Sequence, residues 1–262
     1  MAKIDGCYPN TNVLINKFEI KDEDTLKDIE ANITSTETLK ALTKKGIEGK
    51  LDYEHLKKIH KTLFSKIYSW AGKERSVNIA KGFSFCDVGM LPDFSNDIFS
   101  KLKRENFYLD NNKTDTITKI ADLYGDLNCL HPFREGNGRS NKLFCQYIAG
   151  INGIQFDFSK IDKNEWNQAS IYSAYGSNNM LNDILQNISE DITLEQTNFF
   201  RKSCSIPILE MENNKNSIID EVDKTFDDMK LNQTIKENNT QIEFTPRPNT
   251  TPKADMDKGL KK

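Results

Sequence analysis

What these 262 residues lack narrows the problem first. No stretch approaches the roughly 18 consecutive apolar residues that would span a bilayer, so no membrane segment is expected. Basic residues show no excess: 36 Lys and Arg stand against 39 Asp and Glu, for a formal net charge of −3. A general nucleic-acid binder would carry a basic face, so direct nucleic-acid binding is not expected, although a local basic patch around a phosphate is allowed. Cysteine is sparse and unpaired. Cys7, Cys86, Cys129, Cys145 and Cys204 are odd in number and widely scattered. That excludes a disulfide framework or a zinc site as the organising element and points to reduced thiols. Asp5 stands where a secretory signal would need its apolar run. A cytoplasmic protein is therefore expected, with export through a C-terminal signal left open. No repeat recurs at any solenoid period.

What is present is helical patterning. Asp22 to about Lys45 carries Leu26, Ile29, Ile33, Leu39 and Leu42 near a helical spacing. Asp52 is placed to cap a second helix with Leu56, Ile59, Leu63, Ile67 and Trp70 as its apolar stripe. Further helices are expected from about Asp93 to Phe107, Thr116 to Leu130, Ser140 to about Ala149, Lys163 to Tyr175 and Met180 to about Ile188. Ser76 to Cys86 breaks the pattern. It alternates apolar and polar residues around Lys81-Gly82, a hairpin signal whose edge would be open to an extended peptide. The expected division is a main domain over 1–190, a short helical extension over 191–211, and a polar, largely disordered tail over 212–262. Within the tail, Ile218 to Leu231 reads either as a weak amphipathic helix or as solvated chain. The tail as a whole reads as a linker, an export signal or a partner-binding arm, and its basic end, Lys258 to Lys262, as an export signal or a plain solvated terminus.

The segment from His131 to Arg139, His-Pro-Phe-Arg-Glu-Gly-Asn-Gly-Arg, concentrates the chemistry. His131 ends an apolar helix and suits general-base work near neutral pH; the competing reading is a packing histidine. Pro132 turns the chain and Phe133 anchors it. Glu135 sits among anion-binding features, where a carboxylate needs a cation beside it, and magnesium held by one carboxylate plus phosphate oxygens meets that need. Its alternative is an acidic residue favoured by a helix N-terminus. Gly136-Asn137-Gly138 can turn successive N–H groups inward as an anion nest, with the next helix, starting near Arg139 or Ser140, adding its positive end. The Asn137 amide is expected to reach a phosphate oxygen, Arg139 to fork onto two, and Lys142 to reach a terminal phosphate.

This segment resembles the signature of the Fic family, His-x-Phe-x-(Asp/Glu)-Gly-Asn-Gly-Arg-x-x-Arg. Tyr8 to Lys17, Ile59 to Gly72 and the Lys81-Gly82 hairpin resemble other parts of that domain, so the resemblance covers roughly 8–190. It implies an all-α fold: a helical core with a small β-hairpin flap. It implies a nucleotidyltransferase that moves AMP from ATP, with Mg2+, to a Ser, Thr or Tyr hydroxyl of a target protein. In that reading His131 takes the hydroxyl proton and Glu135 holds the metal. Gly136, Asn137 and Gly138 cradle the α- and β-phosphates, Arg139 clamps the phosphate tail, and the flap at Lys81 and Gly82 aligns the target. The alternatives are a different nucleotide, phosphoryl or phosphocholine group on the same fold, or a catalytically silent binding protein held by a partner. One position departs: Lys142 stands where the family has arginine, keeping the charge and losing the fork. The family is also often held inactive by a glutamate in a (Ser/Thr)-x-x-x-Glu-(Gly/Asn) helix. None of the five Glu-Gly or Glu-Asn pairs here has Ser or Thr four residues before its glutamate. A brake supplied in trans by a small antitoxin-like partner is therefore expected, which would make the chain the toxin of a toxin–antitoxin pair.

Overall fold

A computed structural model describes residues 6–80 and 84–210 of the chain. The tail expected over 212–262, with its Ile218 to Leu231 segment, lies outside the described residues, as do Lys81 and Gly82. Eight α-helices are described: α1 (Glu23–Thr43), α2 (Tyr53–Phe64), α3 (Leu91–Arg104), α4 (Lys113–Leu130), α5 (Asn137–Ile151), α6 (Lys163–Ala174), α7 (Asn179–Asn187) and α8 (Leu194–Ser203). Side-chain caps set several starts. Asp22, Asp52 and Asn112 each accept a backbone N–H three residues on, and Thr193 and Gln196 form a reciprocal capping box.

The centre of the core is α5. From Leu143 to Ile151 every residue is buried, the signature of a helix enclosed on all sides. It is enclosed by α2, α4 and α8. From α2 come Leu56, Ile59 and Leu63, and from α4 Ile117, Ile120, Ala121 and Leu127, all fully buried. The expected helix α8 brings Phe200 edge-on against Tyr147, with centroids 5.4 Å apart. The all-α expectation holds with one small addition. β1 (Ile154–Phe156) pairs antiparallel with β2 (Ser189–Asp191), Gln155 opposite Glu190. Three-residue strands are too short to print a period of two on the sequence.

Three expectations are revised. The second helix stops at Phe64, and Ile67 and Trp70 lie in the turns beyond it. The third stops at Arg104, because Asn106, Phe107 and Tyr108 all take positive φ. In α1 the buried line is Leu26, Glu30, Thr34 and Ala41, while Leu39 is 62% exposed. The inward face of α1 is thus partly polar, for a reason found in the site below. At the expected hairpin, Ala80 and Ser84 form an isolated antiparallel bridge, and Phe85 donates its N–H to Ile79 (3.3 Å).

One buried phenol joins three parts of this core. Tyr147 Oη accepts the Ile47 N–H (2.6 Å) and donates to the Ala41 carbonyl (3.1 Å), tying the end of α1 to α5. Tyr147→Phe leaves both backbone groups buried and unpaired. We expect a loss of about 1–3 kcal/mol, read in urea as a lower midpoint with an unchanged slope.

Candidate active site

The loop between α4 and α5 is built by its own backbone. His131 caps α4 in the left-handed region (φ 43, ψ 58), its N–H still bonded to the Leu127 carbonyl. Gly136 also takes a left-handed conformation (φ 82) as the N-cap of α5. A Cβ there would come 2.3 Å from the Phe64 ring, so glycine is required by conformation and by space. The expected run of positive dihedrals is confined to Gly136. Asn137 and Gly138 are already the first residues of α5, which therefore begins earlier than Arg139. The anion-binding feature is a single left-handed residue leading into the free N–H groups of a helix start.

The expectation for the Asn137 side chain is corrected. It is 2% exposed and turned back on the loop: Oδ1 accepts the Phe133 N–H (2.9 Å) and Nδ2 donates to the Phe133 carbonyl (2.7 Å). Its amide holds the loop shut, and what it can offer an anion is its backbone N–H.

His131 is half-buried with its ring stacked on Phe85, centroids 3.6 Å apart and planes 19° apart. Its Nδ1 lies 3.0 Å from the Asn128 carbonyl. A carbonyl can only accept, so Nδ1 carries the proton, and in the neutral ring Nε2 bears the lone pair. That is the tautomer a general base needs.

The Arg139 guanidinium lies over Phe64, its central carbon 4.7 Å from the ring centroid. Its Nη2 donates to Glu30 Oε2 at 2.7 Å and lies 3.4 Å from Glu135 Oε1. Glu30 accounts for the polar face of α1. It is 7% exposed, and its other oxygen accepts the Tyr68 hydroxyl; burial and this carboxylate push the Tyr68 phenol upward. Glu135 is half exposed, with Oε1 also accepting the Gly136 N–H (2.9 Å). Among the described residues no three His, Cys, Asp or Glu side chains gather as a metal cage. A lone carboxylate beside an anion site fits an ion that completes its shell with phosphate oxygens and water. Lys142 lies apart, its ammonium 4.4 Å from the Trp166 ring centroid and 5.3 Å from that of Phe158. Burial pushes its pKa down to about 8.

Two further groups support the loop. His60 is fully buried and stacked on Phe133 at 3.9 Å. Its Nδ1 accepts the Gly72 N–H (2.8 Å), so Nε2 donates to the Glu135 carbonyl (2.9 Å). Burial pushes its pKa down to about 4, which keeps it neutral at pH 7. Arg75, 4% exposed, spreads its guanidinium over three carbonyls: Nε to His131 (2.8 Å), Nη1 to Val77 (2.9 Å) and Nη2 to Cys86. Sequence reasoning assigned roles to none of Glu30, His60, Arg75 or Phe85. The only signal available was an acidic residue four positions after Leu26, on what became the inward face of α1.

A profile of the Fic/DOC family matches residues 50–149. Protein adenylyltransferase VbhT of Bartonella schoenbuchensis is 33% identical over 189 residues, 72% of this chain and 39% of that protein. The chain thus spans well under half of that relative's length. Probable protein adenylyltransferase y4lH of Sinorhizobium fredii is 30% identical over 172 residues, 65% of this chain and 88% of that protein. Among solved structures, the BepC effector of Bartonella tribocorum with bound AMPPNP superposes with a TM-score of 0.67 at 25% identity, over 72% of this chain and 97% of that one. A Fic domain from Bartonella quintana with bound ADP gives the same TM-score and identity, over 72% and 95%.

Gly136→Ala should destabilise the protein by about 1–3 kcal/mol from the left-handed backbone alone, and by more from the contact with Phe64. Thermal melts of Gly136→Ala with and without Phe64→Leu separate the two: the second change relieves the contact and leaves the backbone cost.

Proposed function

The chain belongs to the Fic/DOC family, and on that premise we propose that it is a protein adenylyltransferase, moving AMP from ATP to a Ser, Thr or Tyr hydroxyl of a target protein. The observation that carries this reading is the pairing of a correctly protonated base with an anion site one short loop away: His131, its Nδ1–H on Asn128, and the N-terminus of α5 with Arg139. The nucleotide bound in the two structural relatives supports ATP as the co-substrate.

In this mechanism the target hydroxyl oxygen attacks the α-phosphorus as its proton passes to His131 Nε2. The bond from that phosphorus to the bridging oxygen breaks, and pyrophosphate leaves with the electron pair. The backbone N–H groups at Asn137 and Gly138 hold the phosphates, joined by that of Gly136 once Glu135 turns from it to the metal, and the Arg139 donors not engaged by Glu30 clamp the tail. Glu135 would hold magnesium, which when bound supplies positive charge against the phosphates. Phe85 fixes the His131 ring plane, so the base is oriented before the hydroxyl arrives. Lys81 and Gly82 would align the target segment. The reaction belongs in a cytoplasm, that of the producing cell or of a recipient cell. With no internal (Ser/Thr)-x-x-x-Glu-(Gly/Asn) helix, the brake would come in trans, from a small antitoxin-like protein.

Incubation with ATP labelled at the α-phosphate should place label on protein in a lysate. His131→Ala or removal of divalent metal should abolish it, and cells expressing the chain alone should stop growing while His131→Ala cells do not. Label arriving only from the γ-phosphate would replace AMP transfer with phosphoryl transfer.

Lys142 gives a separate, pH-dependent expectation. With its pKa lowered to about 8, it is charged below that pH and neutral above it, well before an ordinary lysine. If Lys142 swings from the Trp166 and Phe158 rings onto a terminal phosphate, ATP affinity weakens as pH rises through about 8, and a pH-independent affinity removes Lys142 from the nucleotide site. Lys142→Arg, charged throughout, should flatten that profile in a binding titration.

A further inference from the structure

A groove of about 420 Å³ runs beside the base, between the strap that follows the hairpin and the start of α3. Its apolar lining is Phe85, Met90 and Phe94, and its polar lining is dominated by Asp87, Asp93 and Asp97. One end is walled by Phe85, whose ring is stacked on the candidate catalytic residue His131. The wall is fixed: the Cys86 N–H donates to the carbonyl of Cys129 on α4 (3.0 Å), two residues before His131. The groove and His131 therefore share Phe85 as a common wall, which puts the groove beside the place where the proposed mechanism needs the target hydroxyl.

The charge is one-sided. Asp87 is held ionised, its carboxyl kept below the usual range by the Gly89 N–H and the Asn78 amide. Asp93 and Asp97 lie one helical turn apart on α3, both exposed, and among the described residues no basic side chain pairs with either. The helix dipole accounts for Asp93 in the first turn and not for Asp97 beyond it. Met90 is 55% exposed at the rim. Three carboxylates would repel the phosphates of a nucleotide or a nucleic acid, so this surface is unsuited to both.

We propose that this groove receives the target segment next to the modified hydroxyl, and that it selects a Lys or Arg accompanied by an apolar residue within a few positions of that hydroxyl. This rests on the adenylyltransferase reading for the identity of the occupant, but the choice of a basic, apolar segment comes from the groove alone. Opposite charge at such a rim mainly governs encounter and discrimination, which is what a transferase facing many exposed hydroxyls needs.

The test separates the two claims. Fluorescent peptides with a central tyrosine flanked by Lys and Leu, or by Glu and Leu, are titrated with the full chain by anisotropy, which requires no AMP transfer. The Lys-flanked peptide should bind about tenfold or more tightly at low salt. Asp93→Asn with Asp97→Asn should remove that preference while leaving the melting temperature and ATP binding in place, and Asp93→Lys with Asp97→Lys should reverse it. Equal binding of the two peptides by the wild-type chain, or a preference untouched by the Asn pair, overturns the proposal. In parallel, label transfer from α-labelled ATP to lysate proteins should fall about tenfold in the Asn pair. If the wild-type chain transfers no label while the peptide preference stands, the adenylyltransferase reading fails and the groove's specificity remains.

Discussion

Asn137 closes the loop on which the site depends, by pairing its side chain with both the N–H and the carbonyl of Phe133. The constraint is strict. Two apolar helices, α4 and α5, must meet at an angle deep in the protein, and the turn between them has backbone groups that water cannot reach. Buried groups of that kind must be paired or cost on the order of 1–3 kcal/mol each. Asn137 pairs two of them and His60 a third, the Glu135 carbonyl. With the loop fixed in this way, His131 leaves α4 at one end and Arg139 starts α5 at the other. The distance between base and anion site is then set by the fold.

A second dependence is electrostatic. A glutamate on the core-facing side of α1 would be costly unless paired. Glu30 is paired with Tyr68 and Arg139, so α1 packs with a carboxylate in its interface only because the site's arginine is there. Arg139 in turn stands between Glu30 and Glu135. Its fork has five N–H groups, and Glu30 fixes its position while leaving others for a phosphate. Arginine suits this dual role and lysine would not: a point charge cannot hold a buried carboxylate and a phosphate in one plane. At position 142 the demand differs, because the lysine there meets aromatic faces, which need only a cation.

The sequence pattern was most legible where one residue type answers one local demand. Helix starts at Asp22 and Asp52 were readable because an extended residue with a carboxylate oxygen is what a helix start needs. His131, Glu135, Gly136 and Arg139 stand out in the sequence because their order in a short segment matches a nucleotide-transfer chemistry, and the structure gathers all four between the end of α4 and the first turn of α5. Asn137 was assigned to the right loop with the wrong task, since an amide beside a glycine gives no sign of whether it faces ligand or backbone. Glu30, His60 and Arg75 were illegible for a different reason. Each serves a carbonyl, hydroxyl or guanidinium brought near by the tertiary fold, and Glu30 lies 109 positions from the arginine it holds. The polar residues on the inward face of α1 escape the reading for the same reason, although Leu26, Ile33 and Leu42 do pack inward as expected: periodicity weighs apolar side chains and cannot foresee a polar one buried by a distant partner.

Arg75 joins the chemistry to the surface that would meet a target. One planar side chain holds the carbonyls of His131, of Val77 and of Cys86, the last on the groove wall, while its own N–H donates to Pro132 (2.9 Å). His131 and the groove wall are thus fastened to the same guanidinium. A shift of the strap would have to break hydrogen bonds to a buried cation, each stronger than a neutral pair, or carry His131 with it. Phe85, stacked on the base and lining the groove, makes the same connection through ring contact. A segment lodged in the groove, as proposed, would therefore be referenced to His131 through these contacts, and the precision that in-line attack requires would come from that packing.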